Sequence, residues 1–149
     1  MHRRWLLLGC AGVALLGGAC GAGEEPLSSA CTDRAQVERA LARAPDAVTL
    51  ADGTTLSACM RGAATPALLQ DLGITFTAVA ENLETKADGD PAAARQLGYL
   101  IGAARRGIEG SSGTSAELTH RLERSGSEVA DPASVAALGE GLRAGEGSG

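Results

Sequence analysis

The side chains in this sequence that could catalyse a reaction or bind a metal form no recognisable catalytic or metal-binding pattern. His120 is the only histidine after residue 2, so a histidine-rich metal site has too few ligands, and no serine stands in a nucleophile-elbow sequence. The segment 88–90 reads Asp-Gly-Asp, but an EF-hand loop supplies more oxygen ligands at fixed positions. We interpret it as a turn followed by a helix N-cap. The sequence thus predicts no catalytic residue, no metal ligand, no cofactor site and no enzymatic activity.

The cysteines carry the clearest chemical signal. Cys20 follows a positively charged start, an apolar run over 5–16 and the small residues Gly17-Gly18-Ala19. This order is typical of a secretory signal peptide. A cysteine directly after the small residues resembles the lipobox of bacterial lipoproteins. That resemblance implies cleavage before Cys20, a diacylglycerol on its sulfur, a fatty acid such as palmitate on its new amino group, and anchoring in the membrane.

Other interpretations of this segment stay open. Cys10 also follows a small residue, but only about five apolar residues precede it, fewer than the ~7–15 of a usual signal core. Ordinary cleavage near Ala19 or Ala22 would release a secreted, soluble helical domain. The uncharged stretch 5–23 also approaches the ~20 residues of a membrane-spanning helix, although its second half is rich in glycine.

Under the lipoprotein interpretation, every cysteine has a role. Cys10 leaves with the signal peptide, and Cys20 carries the lipid. Cys31 and Cys59 then remain as a pair in an oxidising compartment, where such cysteines form disulfides. We therefore predict a Cys31–Cys59 disulfide.

Charge and aromatic content argue against several kinds of partner. Without residues 1–19 the chain keeps 11 basic and 18 acidic side chains, a net charge of −7. An acidic chain without a basic stripe is unsuited to nucleic acid. Only Phe76 and Tyr99 remain as aromatic residues, because Trp5 lies in the predicted signal peptide. Stacking surfaces for bases or sugars are therefore nearly absent.

Apolar spacing and capping signals predict a mainly α fold. The expected helix starts are Asp33, Thr65-Pro66, Asp90-Pro91, the capping box Thr114-x-x-Glu117 and Asp131-Pro132. Between the first and second helices, the stretch 48–56 predicts a short β-hairpin. Its three-residue loop places Gly53 in the left-handed conformation and Val48 opposite Leu56, which gathers the apolar side chains on one face.

Two features of the predicted helix after Pro91 concern contacts. Gly98 and Gly102 are four residues apart, a spacing that lets another helix approach closely. We expect this face to be buried inside the bundle, with contact to another protein as the alternative. Arg95, Arg105 and Arg106 are interpreted as part of a solvated helix face.

Together these features predict a signal peptide over 1–19, a flexible tether over 20–30, a helical domain over 31–144 and a disordered tail over 145–149. The domain is expected to be a small bundle of four or five helices with the short β-hairpin and one disulfide. The predicted function is that of a membrane-tethered extracytoplasmic lipoprotein, in the cell membrane or outer membrane, that binds or scaffolds an envelope protein. The alternative is a lipoprotein that holds a small apolar ligand between its helices.

Overall fold

The computed structural model describes residues 27–109 and 113–149. These ranges contain six α-helices, one short 3-10 turn at Ser29–Thr32 and no β-strand. The helices are α1 (Arg34–Leu41), α2 (Leu56–Gly62), α3 (Pro66–Ala87), α4 (Pro91–Gly107), α5 (Thr114–Ser127) and α6 (Pro132–Ser148). The prediction of a mainly α bundle is confirmed, with one or two more helices than expected.

Side-chain caps start most helices at the predicted residues. The Thr65 hydroxyl accepts a hydrogen bond from the backbone N–H three residues later (3.3 Å), and the carboxylates of Asp90 and Asp131 cap α4 and α6 similarly. Proline follows each cap, where its missing N–H leaves no bond unmade. The start of α5 differs, because Gly113 occupies the N-cap with a φ of +81° and no side chain caps it. The predicted capping box at Thr114 is therefore wrong.

The predicted β-hairpin does not form. Thr49 and Thr55 make one isolated antiparallel bridge, which has the predicted register, and Gly53 has a φ of +86°. No second strand follows, because the Thr55 hydroxyl accepts a hydrogen bond from the Ala58 N–H (3.2 Å) and caps α2. The chain therefore turns into a helix at Leu56, where the sequence pattern had suggested a strand.

The Cys31–Cys59 disulfide is confirmed. It joins the 3-10 turn before α1 to α2, and both cysteines are almost completely buried. The Ser28 side chain caps this turn, and Ala30 is buried. Residues 27–30 thus belong to the folded domain, so the predicted tether ends sooner than expected, and the rest of it lies outside the described residues.

The helices α4 and α6 run parallel and touch through their backbones. A Cβ added to Gly98 would lie 2.1 Å from the Leu138 carbonyl oxygen, and one added to Gly141 would lie 2.0 Å from the Arg95 carbonyl oxygen. Glycine is needed at both positions, because any side chain would overlap the facing backbone. The predicted burial of the Gly98/Gly102 face against another helix is confirmed.

The predicted disordered tail over 145–149 is wrong, because α6 continues to Ser148. A Cβ added to Gly145 would lie 2.3 Å from the Tyr99 carbonyl oxygen, so this part of the chain is packed against α4. The Arg106 guanidinium also donates hydrogen bonds to backbone carbonyls in the last turn of α6. The glycine-rich composition of this segment, which is typical of a flexible tail, instead allows α6 to pack closely against α4.

A buried tyrosine connects three parts of the fold. The Tyr99 side chain on α4 is fully buried. Its hydroxyl oxygen accepts a hydrogen bond from the Val48 N–H (3.1 Å) and lies 3.1 Å from the Ser148 hydroxyl. The loop before α2 and the end of α6 are thereby fixed to α4.

The turn between α3 and α4 is tied to the connection between α5 and α6. The Asp88 carboxylate accepts hydrogen bonds from the Ala130 and Asp131 N–H groups, both at 2.7 Å. These two bonds lower the pKa of Asp88. The segment 88–90 is thus a turn followed by an N-cap, as predicted, with an additional bridging role for Asp88.

Candidate functional site

The predicted lipidation site lies outside the described residues, as does the other lipobox candidate, Cys10. The lipid anchor at Cys20 therefore stays a prediction. None of the helices in the described ranges is long and apolar enough to cross a membrane.

His120 lies on an exposed face of α5, as predicted. Its side chain is 73% exposed, and its Nδ1 atom lies 3.0 Å from the Glu123 carboxylate. Burial raises the pKa of Glu123, but hydrogen bonds from Arg105 and His120 outweigh burial and lower it. Over residues 27–109 and 113–149, no three histidine, cysteine or acidic side chains gather as metal ligands would. His120 thus makes a hydrogen bond on the surface of the domain, with no further ligand or catalytic group beside it among the described residues.

The arginines of α4 link helices, which corrects their interpretation as a merely solvated face. Arg95 pairs with Glu140 of α6 at 2.7 Å. Arg105 pairs with Glu123 of α5 at 2.7 Å and with Glu146 of α6 at 3.1 Å. Because all these groups are partly exposed, each pair contributes at most about 1 kcal/mol to stability. Their role is to hold α5 and α6 in place along α4.

A groove of about 680 Å³ with a mainly apolar lining lies between α3 and α5. Its wall includes Leu69 and Leu118, each 7% exposed, and Gly73 of α3 faces Leu118 of α5. A Cβ added to Gly73 would contact the Leu118 side chain at an ordinary 3.7 Å. The groove thus lies at the contact between α3 and α5, where Gly73 has no side chain to fill it.

Ile74 projects at this groove and is the most exposed large hydrophobic side chain among the described residues, at 64%. It stands off the apolar stripe of α3, two residues after Leu72 and two before Phe76, both fully buried. Neither the apolar stripe nor the capping signals of α3 single out Ile74. An aliphatic residue on the polar side of an amphipathic helix was the signal that would have found it.

Charged residues of both signs surround the groove. Glu81 lies on α3, whereas Glu117 and Arg121 lie on α5. Within the described residues none of the three takes part in an ion pair of 4.0 Å or less. An apolar floor with a charged rim is the usual arrangement of a protein-binding surface.

A second groove, of about 500 Å³, lies beside α1 and is mainly polar. Arg39 and Arg43 line it, together with Thr49. The Arg43 guanidinium is already occupied, since it donates to the Thr49 carbonyl oxygen. Among residues 27–109 and 113–149, the Arg39 side chain makes no hydrogen bond or ion pair, and the groove offers little apolar surface.

No protein family, no curated protein and no solved structure matches this chain.

Proposed function

We propose that this chain is an extracytoplasmic lipoprotein, anchored through Cys20, whose helical domain binds another protein without catalysing a reaction. The observation that carries the binding role is Ile74, 64% exposed at the apolar groove between α3 and α5. A single exposed aliphatic side chain is common on soluble domains, but Ile74 and the groove form one contiguous apolar surface, and such a surface with a polar rim marks an interaction site.

The extracytoplasmic location is supported by the disulfide and by the sequence before it. A Cys31–Cys59 bond persists in an oxidising compartment and is rare in the cytoplasm. The anchor depends on the lipobox-like residues up to Cys20. Two or more acyl chains hold a protein firmly on a membrane, whereas one binds only marginally, at about 10⁴ M⁻¹.

A small apolar ligand is the second candidate occupant of the groove. The groove's volume of about 680 Å³ falls within the range of known ligand pockets. A bound small molecule is usually enclosed over most of its surface. The protruding Ile74 and the charged rim favour a protein over such a ligand.

The anchor is tested by mass spectrometry of the mature N-terminus. We expect the first residue to be Cys20, with the added mass of a diacylglycerol and a fatty acid. The variant Cys20→Ala should leave the membrane fraction, whereas Cys10→Ala should stay in it. An unmodified N-terminus at or after Cys20 would contradict the anchor.

The binding role is tested by crosslinking intact cells and isolating the full chain with its adducts. We expect protein adducts that disappear in the variant Ile74→Asp. Val135→Asp is the matched control, since Val135 is also exposed (46%) but lies on α6. Recovery of a tightly bound apolar small molecule, with no protein adduct, would favour the ligand-binding alternative.

A further inference from the structure

One surface of the domain carries both a protruding side chain and a recess that fits it. Ile74 projects from α3 with 64% of its surface exposed. The groove beside it is lined by the small residues Gly73, Thr77 and Ala78, which leave room for a branched aliphatic side chain. A protrusion and a recess on the same surface are what a self-complementary contact requires.

The charges around the groove are self-complementary as well. Glu81 and Glu117 are acidic and Arg121 is basic, and all three line the groove. In a contact with two-fold symmetry, Arg121 of one copy faces the acidic residues of the other, and the reverse pairing forms at the same time. A purely acidic or purely basic rim would repel a second copy.

We propose that the groove between α3 and α5 binds a second copy of this chain. The two copies are related by a two-fold axis, and Ile74 of each inserts into the groove of the other. This inference rests on the proposed function, because it names the partner of the proposed binding surface. Anchoring both copies in one membrane raises their effective concentration, so a small contact surface suffices.

The test uses the full chain in its native envelope, with a photo-crosslinking amino acid at position 70. Gln70 lines the groove and is exposed, so the label lies at the proposed contact and leaves Ile74 in place. We expect an adduct with twice the mass of the chain. The same label at position 135 on α6 should not form it.

Variants in the labelled chain test the proposed geometry. Ile74→Asp should reduce the two-copy adduct by about tenfold or more, the effect of losing a central anchoring side chain. The matched variant Val135→Asp should leave the yield unchanged. Circular dichroism of both variants shows whether the helical fold is retained.

A charge exchange tests the rim without changing Ile74. Arg121→Glu makes the rim entirely acidic, so the two-copy adduct should fall. Adding Glu81→Arg and Glu117→Arg to the same chain restores both signs, so the adduct should return. A two-copy adduct that does not respond to Ile74→Asp or to Arg121→Glu would overturn the proposal.

The remaining outcomes separate this inference from the proposed function. An adduct with a different protein, and none between two copies, would refute the proposal that a second copy occupies the groove. The proposed protein-binding function would still hold. No protein adduct from position 70 would overturn both.

Discussion

A Cβ atom on Gly98 would lie only 2.1 Å from the carbonyl oxygen of Leu138, so α4 and α6 touch through their backbones. The relationship is reciprocal, because a Cβ on Gly141 would lie 2.0 Å from the carbonyl oxygen of Arg95. Small residues four apart on both helices thus build one contact. This contact holds α6 on the domain.

The first prediction concerns the glycines of this contact. Gly98→Leu and Gly141→Ala should each lower the free energy of unfolding by about 1–3 kcal/mol or more, because the added atoms force the helices apart. Gly139→Ala is the control, since its Cβ would meet only the end of the Arg143 side chain, at 3.5 Å. That variant should be neutral or stabilising by about 0.5–1 kcal/mol. Urea denaturation measures all three, and an unchanged midpoint for Gly98→Leu would contradict the contact.

The second prediction concerns the end of α6. Gly145→Ala should destabilise the domain, because its Cβ would lie 2.3 Å from the Tyr99 carbonyl oxygen. Gly147→Ala should not, because nothing lies within 4 Å of its Cβ. Thermal unfolding of the two variants compares them directly. Equal melting temperatures would favour a free tail over a docked helix end.

The third prediction concerns the Tyr99 hydroxyl. Tyr99→Phe removes the hydrogen-bond acceptor of the Val48 N–H, a buried group, and should cost about 1–3 kcal/mol of unfolding free energy. Ser148→Ala keeps the bond from the buried Val48 N–H and removes two contacts of the exposed Ser148 hydroxyl, with Tyr99 and with the Ala144 carbonyl oxygen, so its effect should be smaller. Denaturant titration of both variants tests this order. A larger loss for Ser148→Ala would reverse our assignment.

The fourth prediction concerns the disulfide. Reduction, or the double variant Cys31→Ala/Cys59→Ala, should lower the free energy of unfolding by about 3.5 kcal/mol, the chain-entropy estimate for a loop of this size. The intervening chain spans 28 positions, so the bond restricts a large part of the unfolded N-terminal half. Calorimetry with and without reductant measures the loss. The same melting temperature in both conditions would show that the bond does not stabilise the fold.

The fifth prediction concerns acid stability and Asp88. The hydrogen bonds from Asp131 and Ala130 lower the Asp88 pKa in the folded state below its ordinary value of 3.8. The unfolded chain therefore binds more protons in that pH range, so stability rises with pH there. The contribution of Asp88 is complete above about pH 4 and is lost as the pH falls through the folded-state pKa.

Asp88→Asn tests this effect, because the amide keeps an acceptor oxygen but does not titrate. The variant should be less stable than the natural chain at neutral pH, and the difference should shrink below pH ~4. Asp46→Asn is a suitable comparison, since Asp46 is exposed and its carboxylate makes no hydrogen bond among the described residues. A difference between Asp88→Asn and the natural chain that is constant from neutral to acid pH would contradict the role of the carboxylate.

The sequence alone determined the features that depend on near neighbours. The caps at Thr65, Asp90 and Asp131 could be read directly, because a capping side chain bonds to a backbone group two or three residues away. The Cys31–Cys59 pairing was predicted by counting cysteines once Cys10 and Cys20 had been assigned to the lipoprotein signal. The predictions about Cys20 and the membrane likewise belong to the sequence and await their experiments.

Tertiary structure decided the features that depend on distant partners. Composition suggested a free tail around Gly145, but the facing backbone of Tyr99 gives that glycine a packing role. The sequence around Gly53 fits a hairpin, but the chain forms α2 after the cap at Thr55. An isolated two-stranded ribbon is only marginally stable without further strands. The exposure of Ile74 depends on the position of α5 beside α3, and the sequence pattern of α3 does not specify that position. Sequence periodicity records which side of a helix is apolar, but only packing decides which surface stays open.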